Sequence, residues 1–313
     1  MKIALDAMGG DFAPESTVMG AIMAYEFLPE DVKLVLIGNK EKILKITARE
    51  NFDPSVFDII HTDEVIGMGE HPAKAFSKKQ NSSIVTGFGL LTKGRVDAFA
   101  SVGNTGAMMV GAMFMVKSIP GIIRPAISAQ VPNSGGGSST MLDVGINPDC
   151  RPDVLYQYGM LGSLYAQHVF QIEQPKVCLL NVGSEEEKGN LVTKAAHELM
   201  KGSEDFNFAG NIEGNELFSE GKSDVIVCDG FVGNIMLKQA EALYTLIRRR
   251  KIEDDFFEQF NFENYGGTPV LGINQPVIIG HGISNAKAIK NLLLHTKDVV
   301  EANLINKFKE AFK

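Results

Sequence analysis

The chain has no tryptophan and only three cysteines, Cys150, Cys178 and Cys228, with no CxxC pair among them. That excludes a disulfide framework, and an odd, sparse count in apolar surroundings reads as reduced thiols of a cytosolic protein. A basic excess is missing too, since 30 Lys+Arg stand against 38 Asp+Glu for a formal net charge of −8. No global field exists to hold nucleic-acid phosphates, so an acidic partner has to be met by a local basic patch. Apolar residues still make up 44% of the 313, which excludes wholesale disorder. The length suits one large α/β unit or two domain-sized lobes.

Long hydrophobic runs are also scarce. The uncharged stretch 98–116 is long enough to span a bilayer, but Ser101, Gly103, Asn104, Thr105, Gly106 and Gly111 interrupt it. It reads as a strand, a polar turn and a buried helix. The opening Met1-Lys2-Ile3-Ala4-Leu5-Asp6 is too short an apolar run for a signal peptide. A soluble, cytoplasmic protein is expected. Several signatures are absent as well. Gly103-Asn104-Thr105-Gly106 lacks the GxGxxG spacing, and no Walker A, HExxH, metal-spaced Cys/His cluster or GxSxG occurs. NAD, ATP, a bound metal and serine-esterase chemistry are disfavoured on those grounds, and no cofactor is expected.

Glycine, by contrast, is abundant, with 32 residues. The dominant rhythm is a short β-branched run, a glycine turn, then a helical pattern. Strands are predicted over 3–5, 32–37, 56–61, 96–102, 141–144, 176–182, 206–209, 224–228 and 276–280. Helices are predicted over 14–27, 40–50, 82–93, 104–116, 152–170 and 187–201. Near-continuous apolar strands such as Val177-Cys178-Leu179-Leu180 imply burial on both faces, hence a largely parallel sheet wrapped by helices. The tract Ser134-Gly135-Gly136-Gly137-Ser138-Ser139 reads as a flexible loop rather than a domain linker.

Ligands of such sheets collect at the carboxyl ends of strands. Four of those ends share one chemistry: Asp6 with Gly9 and Gly10; Gly103 with Asn104, Thr105 and Gly106; Asn181 with Gly183; and Asp229 with Gly230, Gly233 and Asn234. Glycines let backbone N–H groups approach a ligand, and a helix N-terminus favours negative charge. The pattern fits an anion or a developing oxyanion, while each turn taken alone also reads as an ordinary helix cap. Lys188, after Glu185-Glu186-Glu187, reads either as part of a solvated first turn or as a point charge on phosphate. His281, beside Gly282, reads as a turn histidine or a site residue, while His61, His71, His168, His197 and His295 carry no assignment. Arg248-Arg249-Arg250-Lys251 follows an apolar face of Leu237, Leu243, Tyr244 and Ile247 and precedes Phe256, Phe257 and Phe260. It reads as a basic helix end or as part of a protruding helical arm over 237–263 that meets an acidic protein, a lipid surface or a second subunit.

Taken in order, these segments closely resemble the phosphate acyltransferase family, the acyl-ACP:phosphate transacylases of bacterial phospholipid synthesis. The resemblance runs from Asp6-Ala7-Met8-Gly9-Gly10-Asp11 through Ser101-Val102-Gly103-Asn104-Thr105-Gly106-Ala107 and Leu142-Asp143-Val144-Gly145-Ile146-Asn147. It continues over Leu180-Asn181-Val182-Gly183-Ser184-Glu185, Lys188-Gly189-Asn190, Asp229-Gly230-Phe231-Val232-Gly233-Asn234, Tyr265-Gly266-Gly267 and His281-Gly282. Val102 and Ile146 stand where the resemblance leads one to expect alanine, and the arm is shorter than in familiar members.

The resemblance implies a fold like that of phosphate acetyltransferases and isocitrate/isopropylmalate dehydrogenases. It also implies attack of inorganic phosphate on the thioester of acyl-carrier protein, the acyl phosphate feeding a membrane glycerol-3-phosphate acyltransferase. A homodimer, peripheral at the inner face of the membrane, goes with it. On that reading Lys188 binds phosphate, Asn104 and Asn234 donate hydrogen bonds, and Asp229 and His281 orient groups or move a proton. Arg248, Arg249, Arg250 and Lys251 would dock the carrier protein. The rivals are an NAD-dependent decarboxylating dehydrogenase of similar fold and a non-catalytic phosphate- or carrier-binding module.

Overall fold

The apolar runs become strands enclosed on both faces. The computed structural model describes all of residues 1–313. Along the chain the first elements are β1 (Lys2–Asp6), α1 (Glu15–Tyr25), β2 (Lys33–Gly38), α2 (Lys40–Arg49) and β3 (Asp58–His61). Then come α3 (Pro72–Lys78), α4 (Ser83–Thr92), β4 (Ala98–Ser101) and α5 (Thr105–Gly111), which continues as a π-helical stretch over Ala112–Val116. The middle of the chain holds β5 (Ala126–Pro132), β6 (Ser138–Leu142), α6 (Pro152–Val169), β7 (Lys176–Leu180) and α7 (Leu191–Met200). After these come β8 (Asn207–Ile212), β9 (Val225–Val227), α8 (Gly230–Arg249) and α9 (Asp255–Glu258). The chain ends with β10 (Gly267–Leu271), β11 (Val277–Gly280), α10 (Ala286–Glu301) and α11 (Leu304–Ala311). Two units result, the first formed by Met1–Ser118 and Phe262–Glu301, the second by Ile119–Asn261 and Ala302–Lys313.

In the first unit the strand order is β3-β2-β1-β4-β11-β10. Every pair is parallel except β10 with β11. Ile3, Leu5, Leu34, Leu36, Ala100 and Ile278 form a core with Val18 and Ala21 of α1 and Ile289, Leu292 and Leu293 of α10. The second unit orders its strands β5-β6-β9-β7-β8, parallel except for the β5–β6 hairpin. Its core gathers Val131, Met141, Cys178, Ile212, Ile226 and Cys228, with Met236 and Leu237 of α8 packed against them.

Several elements differ from the sequence reading. The sequence reading places no element at β5, β10, α3, α10 or α11. The Ser134–Ser139 tract is the closed turn of the β5–β6 hairpin, in which Asn133 Oδ1 accepts from Gly135 N at 3.1 Å and Gly137 N at 3.2 Å. Residues 185–187 are not helical; α7 starts at Leu191, where Asn190 Oδ1 caps Thr193 N at 2.9 Å. No helix is long and apolar enough to cross a membrane.

The close approach of α1 to α10 depends on Gly20. A Cβ there would lie 2.5 Å from Ile289 Cγ2 and 2.8 Å from the Ala286 carbonyl oxygen. Gly20→Val should therefore force the two helices apart and destabilise the fold by about 1–3 kcal/mol in denaturant titration. A wild-type midpoint would contradict this packing.

Candidate active site

Candidate residues sit at the carboxyl ends of three neighbouring parallel strands in each unit. In the first unit these are β1, β4 and β11. Asp6 ends β1 and is 1% exposed. Its carboxylate accepts from Met8 N at 3.0 Å and from Ser101 Oγ at 2.7 Å, while Ser101 Oγ accepts from Gly103 N at 2.9 Å. Burial pushes the Asp6 carboxyl above the usual carboxylate range, and these hydrogen bonds draw it partly back. The side chain thus ties the β1 and β4 turns together and is turned away from solvent.

That knot explains the glycines around it. A Cβ on Gly9 would stand 2.5 Å from Asp6 Oδ2 and 2.8 Å from Gly103 N. Gly10 has φ +91° and abuts Gly282, whose carbonyl accepts from Asp11 N at 2.7 Å. Asn104 caps α5 through Ala107 N at 3.0 Å, and its amide donates to the carbonyls of Gly67, Met68 and Glu70 at 3.0–3.2 Å. With both N–H groups committed, Asn104 holds the 67–70 segment; as placed it has no donor left for an oxyanion. Gly106 gives room to Pro72 of α3, Thr105 is exposed, and the His281 ring packs tilted against Phe262 with centroids 4.8 Å apart.

The second unit repeats the device at the ends of β6, β9 and β7. Asp143 follows β6, fully buried, and was not among the residues singled out from the sequence. Its oxygens accept from the N–H groups of Ile127, Gly145, Ile146 and Asn147 at 2.6–3.3 Å and from Asn147 Nδ2 at 3.1 Å. Burial raises its pKa, and the surrounding N–H groups counter part of that rise. The β9 turn packs directly on this knot. A Cβ on Gly230 would lie 2.7 Å from Asp143 Oδ2, and one on Gly233 would collide with the Asp143 carbonyl oxygen. Asp229 caps α8 through Val232 N at 2.8 Å, and Asn234 Nδ2 donates to Val144 O at 3.1 Å. The signal for Asp143 was there to read: Leu142-Asp143-Val144-Gly145 repeats the strand, Asp and glycine order of the first turn.

The third strand end, after β7, carries Lys188. Its N–H donates to Glu185 O at 3.1 Å, and its carbonyl accepts from Asn181 Nδ2 at 3.2 Å, so its backbone is held on both sides. Gly183 makes room for the lysine stem, since a Cβ there would lie 2.7 Å from Lys188 Cγ. Lys188 is exposed, and no carboxylate stands within 4.0 Å of its ammonium. Nearby cations do find partners: Lys201 pairs with Glu186 at 2.5 Å.

Helix α8 carries the basic run. Leu237, Tyr244 and Ile247 are half-buried, whereas Leu243 turns out with Val232, Ile235 and Leu246 on the exposed side. Arg248 is engaged by Glu258 at 2.6 Å, and Tyr244 also donates to Glu258 at 3.1 Å. Arg249, Arg250 and Lys251 are exposed. Phe256 of α9 packs on Phe260, just beyond the helix, at 5.5 Å, and Phe260 packs on Phe218 at 5.2 Å.

Two units of largely parallel strands, with glycine turns gathered at the carboxyl ends, define an α/β protein of the class that binds its ligands at those strand ends. The family model described as "Fatty acid synthesis protein" matches residues 1–307. The chain is 42% identical to the phosphate acyltransferase of Dictyoglomus thermophilum, over 99% of this chain and 97% of that one. It is 43% identical to that of Desulforamulus reducens, over 100% and 98%. The protein belongs to the phosphate acyltransferase family. Its fold is similar to a phosphotransacetylase from Streptococcus pyogenes, with TM-score 0.70 and 19% identity over 96% of this chain and 94% of the other. It is also similar to a 4-hydroxythreonine-4-phosphate dehydrogenase from Klebsiella pneumoniae, with TM-score 0.59 and 13% identity over 95% and 97%.

Two outcomes test the geometry. Asp143→Asn turns an amide N–H₂ toward backbone donors, and should cost about 1.5–3 kcal/mol of stability along with activity. A variant of wild-type stability would show that the carboxylate does not organise these turns. All three thiols are buried, and burial pushes Cys150 and Cys178 up to about 11 and Cys228 well above the usual thiol range. The folded protein should not react with an aromatic disulfide reagent, while the denatured chain should release three equivalents.

Proposed function

We propose that the protein transfers a long-chain fatty acyl group from acyl-carrier protein to inorganic phosphate. A phosphate oxygen attacks the thioester carbonyl carbon, the C–S bond breaks, and the carrier thiolate leaves and takes up a proton. Acyl phosphate and free carrier thiol result, the former a substrate for a membrane glycerol-3-phosphate acyltransferase. Phosphate is substantially dianionic near neutral pH, so the protein need not generate the nucleophile. Its task is to hold the anion, orient it and stabilise the developing oxyanion.

The observation that carries this reading is Lys188, a backbone-clamped cation with no acidic partner in a chain of net charge −8. It is the phosphate residue of the proposal. Asn234 keeps one amide N–H beyond its bond to Val144 and serves as the donor. Asn104 acts through the turn it braces. Asp229 and His281 orient groups or pass a proton to the leaving thiol. Carrier protein, itself acidic, docks at Arg249, Arg250 and Lys251, with Arg248 held by Glu258. Residues 1–313 act as one catalytic unit, with 237–263 as its helical arm. A homodimer and a peripheral place at the inner membrane face complete the reading, supported by the exposed Val232, Ile235, Leu243 and Leu246 of α8.

Thiol release from palmitoyl carrier protein should depend strictly on phosphate; release without it overturns the proposal. Lys188→Ala should raise the phosphate KM by about tenfold or more, the worth of one charge-assisted contact, at an unchanged melting point. Reversing Arg249 and Arg250 to Glu should raise the KM for acyl-carrier protein and leave a short acyl-pantetheine substrate untouched. That difference should fade at high salt, where charges screen within roughly 3 Å at 1 M. Equal losses with both substrates would place the carrier dock elsewhere.

A further inference from the structure

The mechanism so far leaves β8 and the inner face of α7 unused, yet both contain features a plain sheet edge does not need. The pairing of β7 with β8 slips between Val177–Phe208 and Cys178–Gly210, which leaves Ala209 as an extra residue in β8. Gly210 takes φ +95°, with open space where its Cβ would stand, so the glycine is there for the backbone turn alone. A one-residue bulge reverses which face the following side chains occupy. The residue it re-aims is Asn211.

Asn211 Nδ2 donates to the Glu185 carbonyl at 2.9 Å, the same oxygen that accepts from Lys188 N at 3.1 Å. With the amide nitrogen committed there, Oδ1 faces His197 Nδ1 at 3.0 Å. An acceptor in that place makes Nδ1 the protonated ring nitrogen. His197 is 3% exposed and its ring meets Phe208 edge-on, centroids 5.1 Å apart, so it cannot swing away from Asn211. A chain of contacts thus runs from a buried imidazole through one amide to the turn that presents Lys188. We propose that His197 and Asn211 are positioning residues that hold the 185–188 turn so that Lys188 presents its ammonium to phosphate.

This inference rests on the assignment of phosphate to Lys188, and the test separates the two. Asn211→Asp keeps the size and the partner for His197 but sets a carboxylate oxygen against the Glu185 carbonyl. His197→Leu removes the donor, whereas His197→Asn restores an amide N–H where Nδ1 stood. Phosphate KM, carrier-protein KM, kcat and melting temperature are measured for each, and for Lys188→Ala alone and combined with Asn211→Asp. Asn211→Asp and His197→Leu should raise phosphate KM by about five- to tenfold, one hydrogen bond's worth, and leave carrier-protein KM within about twofold. His197→Asn should return close to wild type. In the Lys188→Ala background Asn211→Asp should add nothing, because the group it positions is gone.

Multiplying effects in the double variant, or equal losses in every parameter with no rescue by His197→Asn, would overturn the inference. If Lys188→Ala raises phosphate KM and Asn211→Asp does not, the positioning role alone falls. If Lys188→Ala leaves phosphate KM unchanged, the phosphate assignment falls and takes this inference with it. Should Asn211→Asp fail to fold, the contrast of His197→Leu with His197→Asn carries the same decision.

Discussion

Two buried carboxylates, Asp6 and Asp143, organise the glycine turns that follow β1, β4, β6 and β9. An ionised carboxylate sealed from water costs several kcal/mol unless hydrogen-bond donors surround it. Each of these recruits its donors from the turn that follows its own strand and from a neighbouring element. Asp143 gathers four backbone N–H groups, and Asp6 reaches Ser101 on β4 as well as Met8. Backbone can crowd a carboxylate this closely only where no Cβ intervenes, which is why Gly9 and Gly230 stand where they do, and Gly233 lies as close to the main-chain carbonyl of Asp143. The glycines are a consequence of the knots before they are a feature of any ligand site. A turn so constrained keeps its remaining polar groups in fixed directions, which is the preorganisation that oxyanion chemistry requires.

This changes the meaning of the glycine-rich turns. From the sequence they read as backbone opened toward a ligand. In the structure most of the crowding faces inward, toward Asp6 and Asp143. On the proposed reading the outward-facing chemistry is left to a few side chains, Lys188 and Asn234 above all. Asn104 shows the same inversion: an amide well suited to donate to substrate spends itself on three carbonyls of 67–70.

The parallel strands were legible because burial on both faces demands unbroken apolar runs, and Val225–Val227 or Val277–Gly280 can be little else. β5 alternates Ser128 and Gln130 with apolar residues, and β10 is five residues containing Gly267 and Pro269, so neither stands out as a run. The acidic 185–187 segment imitated a helical first turn, but the cap at Asn190 sets the true start. At the site, residue types beside strand ends could be read directly. Their commitments could not, because Asn211 meets Glu185 across 26 positions of chain and Ile127 meets Asp143 across 16. His197 looked unassignable for that reason, since its only distinction is the partner the β8 bulge turns toward it.

The remaining constraint is electrostatic. A chain of net charge −8 has to attract phosphate and, on the proposed reading, an acidic carrier. It does so by pairing rather than by surplus. Lys79 is taken by Glu70, Lys201 by Glu186, Lys222 by Glu216, Lys238 by Glu241 and Arg248 by Glu258. Exposed pairs of this kind add little stability, about 0–1 kcal/mol each. Their effect is to cancel local fields, so that a cation left without an ion pair stays available to an approaching anion, while charges beyond roughly 8 Å are screened at physiological salt. Lys188 stands on a clamped turn at a sheet's carboxyl edge, and Arg249 and Arg250 sit at the end of α8. On the proposed reading, ammonium and guanidinium groups free of ion pairs in those places let an acidic protein hold anions locally, and the turn that fixes Lys188 sets where its side chain starts.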